Sequence, residues 1–239
     1  MQTVFHDAAL DDREFFVRER VVDPAKTVLI PGAGVDTERF SPVEEPVGEP
    51  VILLTARMIR DKGIGELVEA SRILKARGCK AHIVLAGMLD NGNPTAISEK
   101  EIRGWEQEGL IEWLGPRTDI PLLLANCNIV CLPSYREGLP LSLIEAASAG
   151  RAIVTTNVPG CRDIVKDGWN GILVPARNAE ALADALQRLL ESPEERRRMG
   201  INGREKVLAG FTRESVAKET LKVYERVARF VRERENSPS

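Results

Sequence analysis

Two acidic side chains, Glu137 and Glu145, stand in an E-x7-E spacing inside PSYREGLPLSLIEAASAG, and two cations, Arg57 and Lys62, stand close together in TARMIRDKG. The two cations suit recognition of a diphosphate. A guanidinium can hold two phosphate oxygens at once, and an ammonium acts beside it as a point charge. Arg57 follows the apolar run Val51–Thr55, and Lys62 precedes the helical pattern of Gly63–Arg77. Both therefore fall at the carboxyl end of a strand, where open α/β sheets bind ligands. The alternative for this pair is ordinary exposed loop charge. In the second segment a strand ends near Ser134, Gly138 allows close backbone approach, and a helix begins near Pro140. The first N–H groups of such a helix lack internal partners and attract anions. Glu145 lies in that helix among Leu141, Leu143, Ile144, Ala146 and Ala147, a pattern that predicts burial. A buried carboxylate is costly unless it is partnered. Ribose hydroxyls are one suitable partner; a buried arginine is the other.

Other chemistries find little support. Gly115-Pro116-Arg117-Thr118-Asp119 sits between a strand and a helix but is generic by itself. Gly32-Ala33-Gly34 begins like a dinucleotide fingerprint, yet Thr37 stands where the third glycine belongs. The sequence has no P-loop, H-E-x-x-H, G-x-S-x-G or D-x-D, and His6 and His82 lie far apart. Cys79, Cys127, Cys131 and Cys161 are too scattered for a disulfide scaffold. Cys127 and Cys131 lie in apolar LLANCNIVCLPS with no histidine near, which reads as core thiols in a reducing compartment rather than a metal site.

The elements that must hold these residues alternate along the chain. Short apolar runs fall at Thr27–Pro31, Val51–Thr55, His82–Ala86, Ile111–Leu114, Ile129–Leu132, Ala152–Thr155 and Gly171–Val174. Several are apolar without alternation, the pattern of strands covered on both faces. Between them, Gly63–Arg77 sets Ile64, Leu67, Val68, Ile73 and Leu74 along one helical stripe, and Asn178–Glu191 does the same with Leu182, Ala185, Leu186, Leu189 and Leu190. Repeated strand–helix units imply an α/β fold with a doubly wound parallel sheet. Ser192-Pro193-Glu194-Glu195 carries the signature of a capped helix start. Phe211-Thr212 opens a last helix with Val216, Thr220, Val223, Tyr224, Val227 and Phe230 at helical spacing. Its charged opposite face reads as solvated, with contact to an anionic membrane surface as the alternative. ENSPS ends the sequence as a frayed tail, Ser41–Pro50 with its three prolines reads as a linker, and no internal repeat is found.

With 239 residues, 43% hydrophobic and 29% charged, the chain can bury a real core and is neither disordered nor fibrous. Its net charge of −3 argues against nucleic acid as a partner. No apolar run approaches a membrane span, and MQTVFHDAALDDREFF lacks the character of a signal peptide. The first forty residues hold one helix (Asp11–Arg20) and two short strands, too little for a core. The expected division is 1–45 as remnant of a preceding domain plus linker, 46–210 as a ligand-binding α/β domain, and 211–239 as terminal helix and tail.

Taken together, Arg57-x4-Lys62-Gly63, the Glu137/Glu145 pair and AGRAIVTTNVPGCRDIVKDGWNGILVP resemble the C-terminal, donor-binding half of a family 4 glycosyltransferase with the GT-B fold. The resemblance covers nearly the whole chain. LIPGAGVDTERFSP is similar to the family's interdomain crossover, and the last helix to the one that returns to the N-terminal domain. RMIRDKG, MLDNGNPTAIS and PSYREGLP resemble the bacterial subgroup that adds sugars, often N-acetylhexosamines, to lipid-diphosphate-linked glycans. The resemblance implies a Rossmann-like domain that binds a nucleotide-sugar donor, UDP-linked, and transfers with retention of configuration without metal or other cofactor. It assigns Arg57 and Lys62 to the diphosphate, Glu145 to the ribose hydroxyls, Glu137 to the donor sugar as catalytic residue, the backbone of Gly138, Leu139, Pro140 and Leu141 to sugar and phosphate, and Arg117 to the neighbourhood of the base. It implies a glycan or lipid-linked acceptor, cytoplasmic action at the inner face of the membrane with peripheral association of the full enzyme, and an N-terminal acceptor domain, on the order of 150 residues, that this sequence does not include. Ala33 stands where the subgroup often has a hydroxyl residue. The rival readings are a non-catalytic nucleotide-sugar-binding module acting with a separate chain and, more weakly, a dehydrogenase-type domain.

Overall fold

The computed structural model describes residues 3–6, 10–30, 32 and 34–235. The expectations on Pro31, Ala33 and the tail beyond residue 235 lie outside the described residues. The chain opens with β1 (Thr3–His6), α1 (Leu10–Arg18) and β2 (Thr27–Ile30), and the two strands pair in parallel from Thr3↔Thr27 to His6↔Ile30. After an irregular stretch over residues 41–50 comes the main sheet.

That sheet has six parallel strands: β3 (Val51–Thr55), β4 (His82–Ala86), β5 (Glu112–Trp113), β6 (Ile129–Leu132), β7 (Ala152–Thr156) and β8 (Gly171–Val174), in the order β5-β4-β3-β6-β7-β8. Six of the seven apolar runs predicted as strands form these strands, and the run beginning at Thr27 forms β2. Only Ile111–Leu114 shrinks, to two residues at the sheet edge, where Glu112 already faces solvent. The strands are connected by α2 (Ile64–Ala76), α3 (Glu99–Gln107), α4 (Ile120–Ala125), α5 (Leu141–Ser148) and α6 (Cys161–Ile164). Alternate residues of each strand face opposite layers. Ile52 and Leu54 join Leu67, Leu74, Leu182 and Leu186 on one side, while Leu53 joins Leu124, Leu143, Ile144 and Ala147 on the other. Burying each such side chain contributes about 1.5–3 kcal/mol, so the strand register is strongly held.

Successive connections run one way from β3 to β4 and the other way to β6, so the order reverses between β3 and β6. In a doubly wound sheet that reversal opens a crevice at the strands' carboxyl ends. The loop after β3 carries Arg57 and Lys62, and the loop after β6 carries Ser134 to Leu141.

Three helices complete the chain. α7 (Ala179–Glu191) is capped by Asn178, which accepts from the Ala181 amide at 2.9 Å, and α8 (Pro193–Gly210) by Ser192, which accepts from the Glu195 amide at 3.4 Å. In α9 (Arg213–Glu235), Val216 and Val223 pack on Ile30 of β2. Tyr224, expected on that stripe, is 67% exposed, because neighbours on a helix point about 100° apart and Val223 takes the inward direction. Segments 34–36 and 211–213 lie side by side: the Val35 amide donates to the Phe211 carbonyl at 2.8 Å, and the Arg213 amide to the Val35 carbonyl at 3.1 Å. All four cysteines are free thiols, three of them buried; burial pushes Cys127 up to about 12 and Cys161 to about 11. Among the described residues no helix is long and apolar enough to cross a membrane.

Candidate functional site

Two of the residues singled out by type and spacing meet in the crevice. Lys62 ends a 3-10 turn, Arg60–Lys62, and its Nζ lies 2.5 Å from Glu137 Oε1. The same carboxylate oxygen accepts from Ser134 Oγ at 2.6 Å. The side chains of Lys62 and Glu137 are 20% and 10% exposed, so their interaction is less screened than a surface pair. The backbone forces this meeting. Gly63 has φ 71°, and a Cβ there would lie 2.0 Å from the Pro133 carbonyl oxygen, so only glycine lets the two loops touch. The Tyr135 amide then donates to the Asp61 carbonyl at 2.8 Å. Below the second loop, Gly160, φ 76°, is packed so that a Cβ would lie 2.0 Å from the Gly138 carbonyl oxygen.

Arg57 stands nearer solvent and pairs with Asp90 at 2.7 Å. Its loop is pinned by the segment after β4: the Met58 amide donates to the Met88 carbonyl, the Arg60 amide to Thr95 and the Ile97 amide to Met58, at 2.9, 2.7 and 3.0 Å. Asp90 was missed as a partner because it is 33 residues away from Arg57 in the chain. Its signal was present in MLDNGNPTAIS, as an acidic residue at the next strand end.

α5 starts at Leu141 with no side-chain cap on Pro140. Among the described residues the amides of Gly138, Leu139, Leu141 and Ser142 donate no hydrogen bond, leaving several N–H groups at one helix start. Glu145 lies one turn further on, half-buried rather than fully enclosed. Its carboxylate takes no hydrogen bond among the described residues, and burial raises the carboxyl to about 7, with the charge of Arg39 pulling the other way. The buried-arginine alternative is not what the structure contains. Arg151, 1% exposed, donates to the carbonyls of Leu124 and Ala125, and Arg196 pairs with Glu45 at 2.9 Å. Leu141, expected inside, is exposed at the helix mouth. Arg117 forms a two-pronged pair with Asp119 (2.7 and 2.5 Å) on the β5 side of the sheet, and the structure joins it to none of the other predicted residues. Among the described residues no cluster of three or more His, Cys, Asp or Glu is placed to hold a metal.

The arrangement sets a lysine–carboxylate pair at the loop that leads into a helix whose first amides donate no hydrogen bond among the described residues. Lys62 and Glu137 meet between the loops after β3 and β6, Arg57 lies on the β4 side with Asp90, and Glu145 lies further along α5. Residues 35–206 match the family profile described as "Glycosyl transferases group 1". The chain belongs to the group 1 glycosyl transferases. As a group 1 glycosyl transferase it corresponds to the C-terminal, Rossmann-like domain of the GT-B architecture. It is 32% identical over 229 residues to the N,N'-diacetylbacillosaminyl-diphospho-undecaprenol alpha-1,3-N-acetylgalactosaminyltransferase of Campylobacter jejuni, covering 90% of this chain and 58% of that protein. It is 26% identical to the UDP-Gal:alpha-D-GlcNAc-diphosphoundecaprenol alpha-1,3-galactosyltransferase of Escherichia coli, covering 84% and 54%. Among solved structures, sucrose-phosphate synthase from Thermosynechococcus elongatus superposes with a TM-score of 0.81 at 29% identity, over 94% of this chain and 58% of that one. The chain thus spans somewhat more than half the length of these relatives.

Proposed function

We propose that this domain binds the nucleotide-sugar donor of a retaining glycosyltransferase that acts, at the inner face of the membrane, on a glycan or lipid-linked acceptor. The observation that carries the reading is the Lys62–Glu137 pair at the strand-order reversal, with Glu137 on the loop that leads to the amides of Gly138, Leu139, Leu141 and Ser142, which donate no hydrogen bond among the described residues. Lys62, Arg57 and those amides would hold the diphosphate, whose charge grows as the bond to the anomeric carbon breaks. Glu137 would hold the donor sugar's hydroxyls, and Glu145 those of the ribose. Arg117 would lie near the base once released from Asp119. The undecaprenol-linked acceptors in the names of the two relatives support a lipid-diphosphate-linked acceptor, and the UDP-Gal in one of them supports a uridine donor. The domain division at residues 45 and 210 belongs to the same proposal.

Stabilisation by ligand follows RT ln(1 + [L]/Kd), about 2.7 kcal/mol at a hundredfold excess. Thermal shift with UDP, GDP, NAD and a panel of UDP-sugars tests the reading; a shift with GDP or NAD and none with UDP overturns it. We further propose that the 239 residues bind donor without transferring sugar, because near-attack placement needs an acceptor site on the other wall of the cleft. Robust transfer by this chain alone would refute that. Activity restored by adding the N-terminal half of such an enzyme would support it.

A further inference from the structure

Beside the Lys62–Glu137 pair lies a second cluster that the donor-site reading leaves unused. Tyr135 Oη donates to Glu66 Oε1 at 2.6 Å, on the first turn of α2. The other oxygen, Glu66 Oε2, is buried without a hydrogen-bond partner. The Arg177 guanidinium sits 4.2 Å from the centre of the Tyr135 ring, within cation–π range. Arg177 itself adopts φ 60°, a left-handed conformation that a non-glycine side chain rarely takes. Strain of this kind persists only where surrounding contacts over-determine it. Here the loop between β8 and α7 is bent so that the Arg177 side chain covers Tyr135.

What Tyr135 joins explains the arrangement. Its amide is bonded to the Asp61 carbonyl, one residue before Lys62. Its own predecessor, Ser134, donates to Glu137 Oε1, the oxygen that Lys62 also contacts. The phenol reaches α2 just beyond Gly63, so Tyr135 is fixed at its backbone to one side of the lysine loop and at its hydroxyl to the other. Burial and the bond to Glu66 push the phenol up to about 12, which keeps it a hydrogen-bond donor throughout the neutral range. Resting on the donor-site reading, we infer that Tyr135 is a positioning residue, held by Glu66 and capped by Arg177, that sets the spacing between Lys62 and Glu137 for the donor's diphosphate.

Calorimetry of the 239-residue chain with UDP and with uridine separates this role from simple folding support. Tyr135→Phe keeps every charge and most of the ring but loses the bond to Glu66. Arg177→Gly removes the cap while relieving the left-handed backbone, so its melting temperature should not fall. Each variant should weaken UDP binding by roughly three- to tenfold with uridine affinity unchanged. UDP affinities equal to wild type, or parallel losses for UDP and uridine with a lowered melting temperature, would overturn the inference. If Tyr135→Phe does not fold, Arg177→Gly decides. Lys62→Ala serves as the control for the underlying site: where it weakens UDP binding and the two variants do not alter it, only the positioning role falls. A wild-type chain that binds no UDP removes the donor site and this role together.

Discussion

Glu145 should couple donor binding to pH. In the free chain its carboxyl sits at about 7, raised from 4.5 by burial and without a hydrogen-bond donor to favour the ionised form. Ribose hydroxyls would supply such donors, so the donor should bind the ionised form and release a proton when it binds below neutrality. A group with that pKa is ionised in roughly one molecule in ten at pH 6 and nine in ten at pH 8. Affinity should therefore rise about tenfold across that interval, about 1.4 kcal/mol, and then level off. A UDP-sugar is the right probe, since its diphosphate is esterified at both ends and does not titrate there. Calorimetry in buffers of different ionisation enthalpy counts the released proton directly. The stability of the free chain follows the opposite course. A carboxyl raised on folding favours the folded state fully below 4.5 and loses that contribution as pH rises through about 7. After discounting for its partial exposure, Glu145→Gln should stabilise the free chain by roughly 1–3 kcal/mol at pH 8 and make its donor affinity flat with pH. A flat wild-type profile, or a tenfold rise that persists in the Gln variant, would refute the reasoning.

Other outcomes follow from the same geometry. Arg57→Ala and Lys62→Ala should each weaken UDP by about 1.5–3 kcal/mol and leave uridine nearly unaffected, as titration calorimetry would register; equal losses for both ligands would place these cations away from the phosphates. Gly160→Ala puts a Cβ 2.0 Å from the Gly138 carbonyl and forces a left-handed residue, so urea unfolding should show a loss of about 2 kcal/mol or more, with UDP affinity falling as the loop moves. Arg151→Met leaves the Leu124 and Ala125 carbonyls without their buried donor and should cost about 2–4 kcal/mol in the same assay; a change under 0.5 kcal/mol, within the ordinary range for surface sites, would mean water replaces the guanidinium.

The sheet was legible because its signal is local. Val51–Thr55 or Ile129–Leu132 is apolar on both faces and bounded by turn residues, and Ser192-Pro193-Glu194-Glu195 announces a helix start within four consecutive residues. Right-handed connections fix the face on which each helix lies, but the reversal that sets β6 beside β3 emerges only in the fold. What remained hidden depends on contacts distant in the chain. Asp90 on Arg57, Glu66 on Tyr135 and Gly160 beneath Gly138 become neighbours only when separate strand ends are brought together. Glu145 shows the intermediate case. Its helix was readable and its carboxylate recognisable as costly, but whether it met an arginine or an opening depended on the fold.

The paired crossing of segments 34–36 and 211–213 has a mechanical consequence. Both routes out of the six-stranded sheet toward β2 and α9 pass through one narrow waist, held by two backbone hydrogen bonds and the Asp36–Arg213 ion pair. Two parallel tethers fastened to each other bend readily across their common plane but resist being wound around one another. Bending at this waist therefore carries β2 and the part of α9 packed on it as one piece, without shearing Lys62 from Glu137. The spacing of Lys62 and Glu137, held by loops of the six-stranded sheet alone, is thereby uncoupled from the position of β2 and α9.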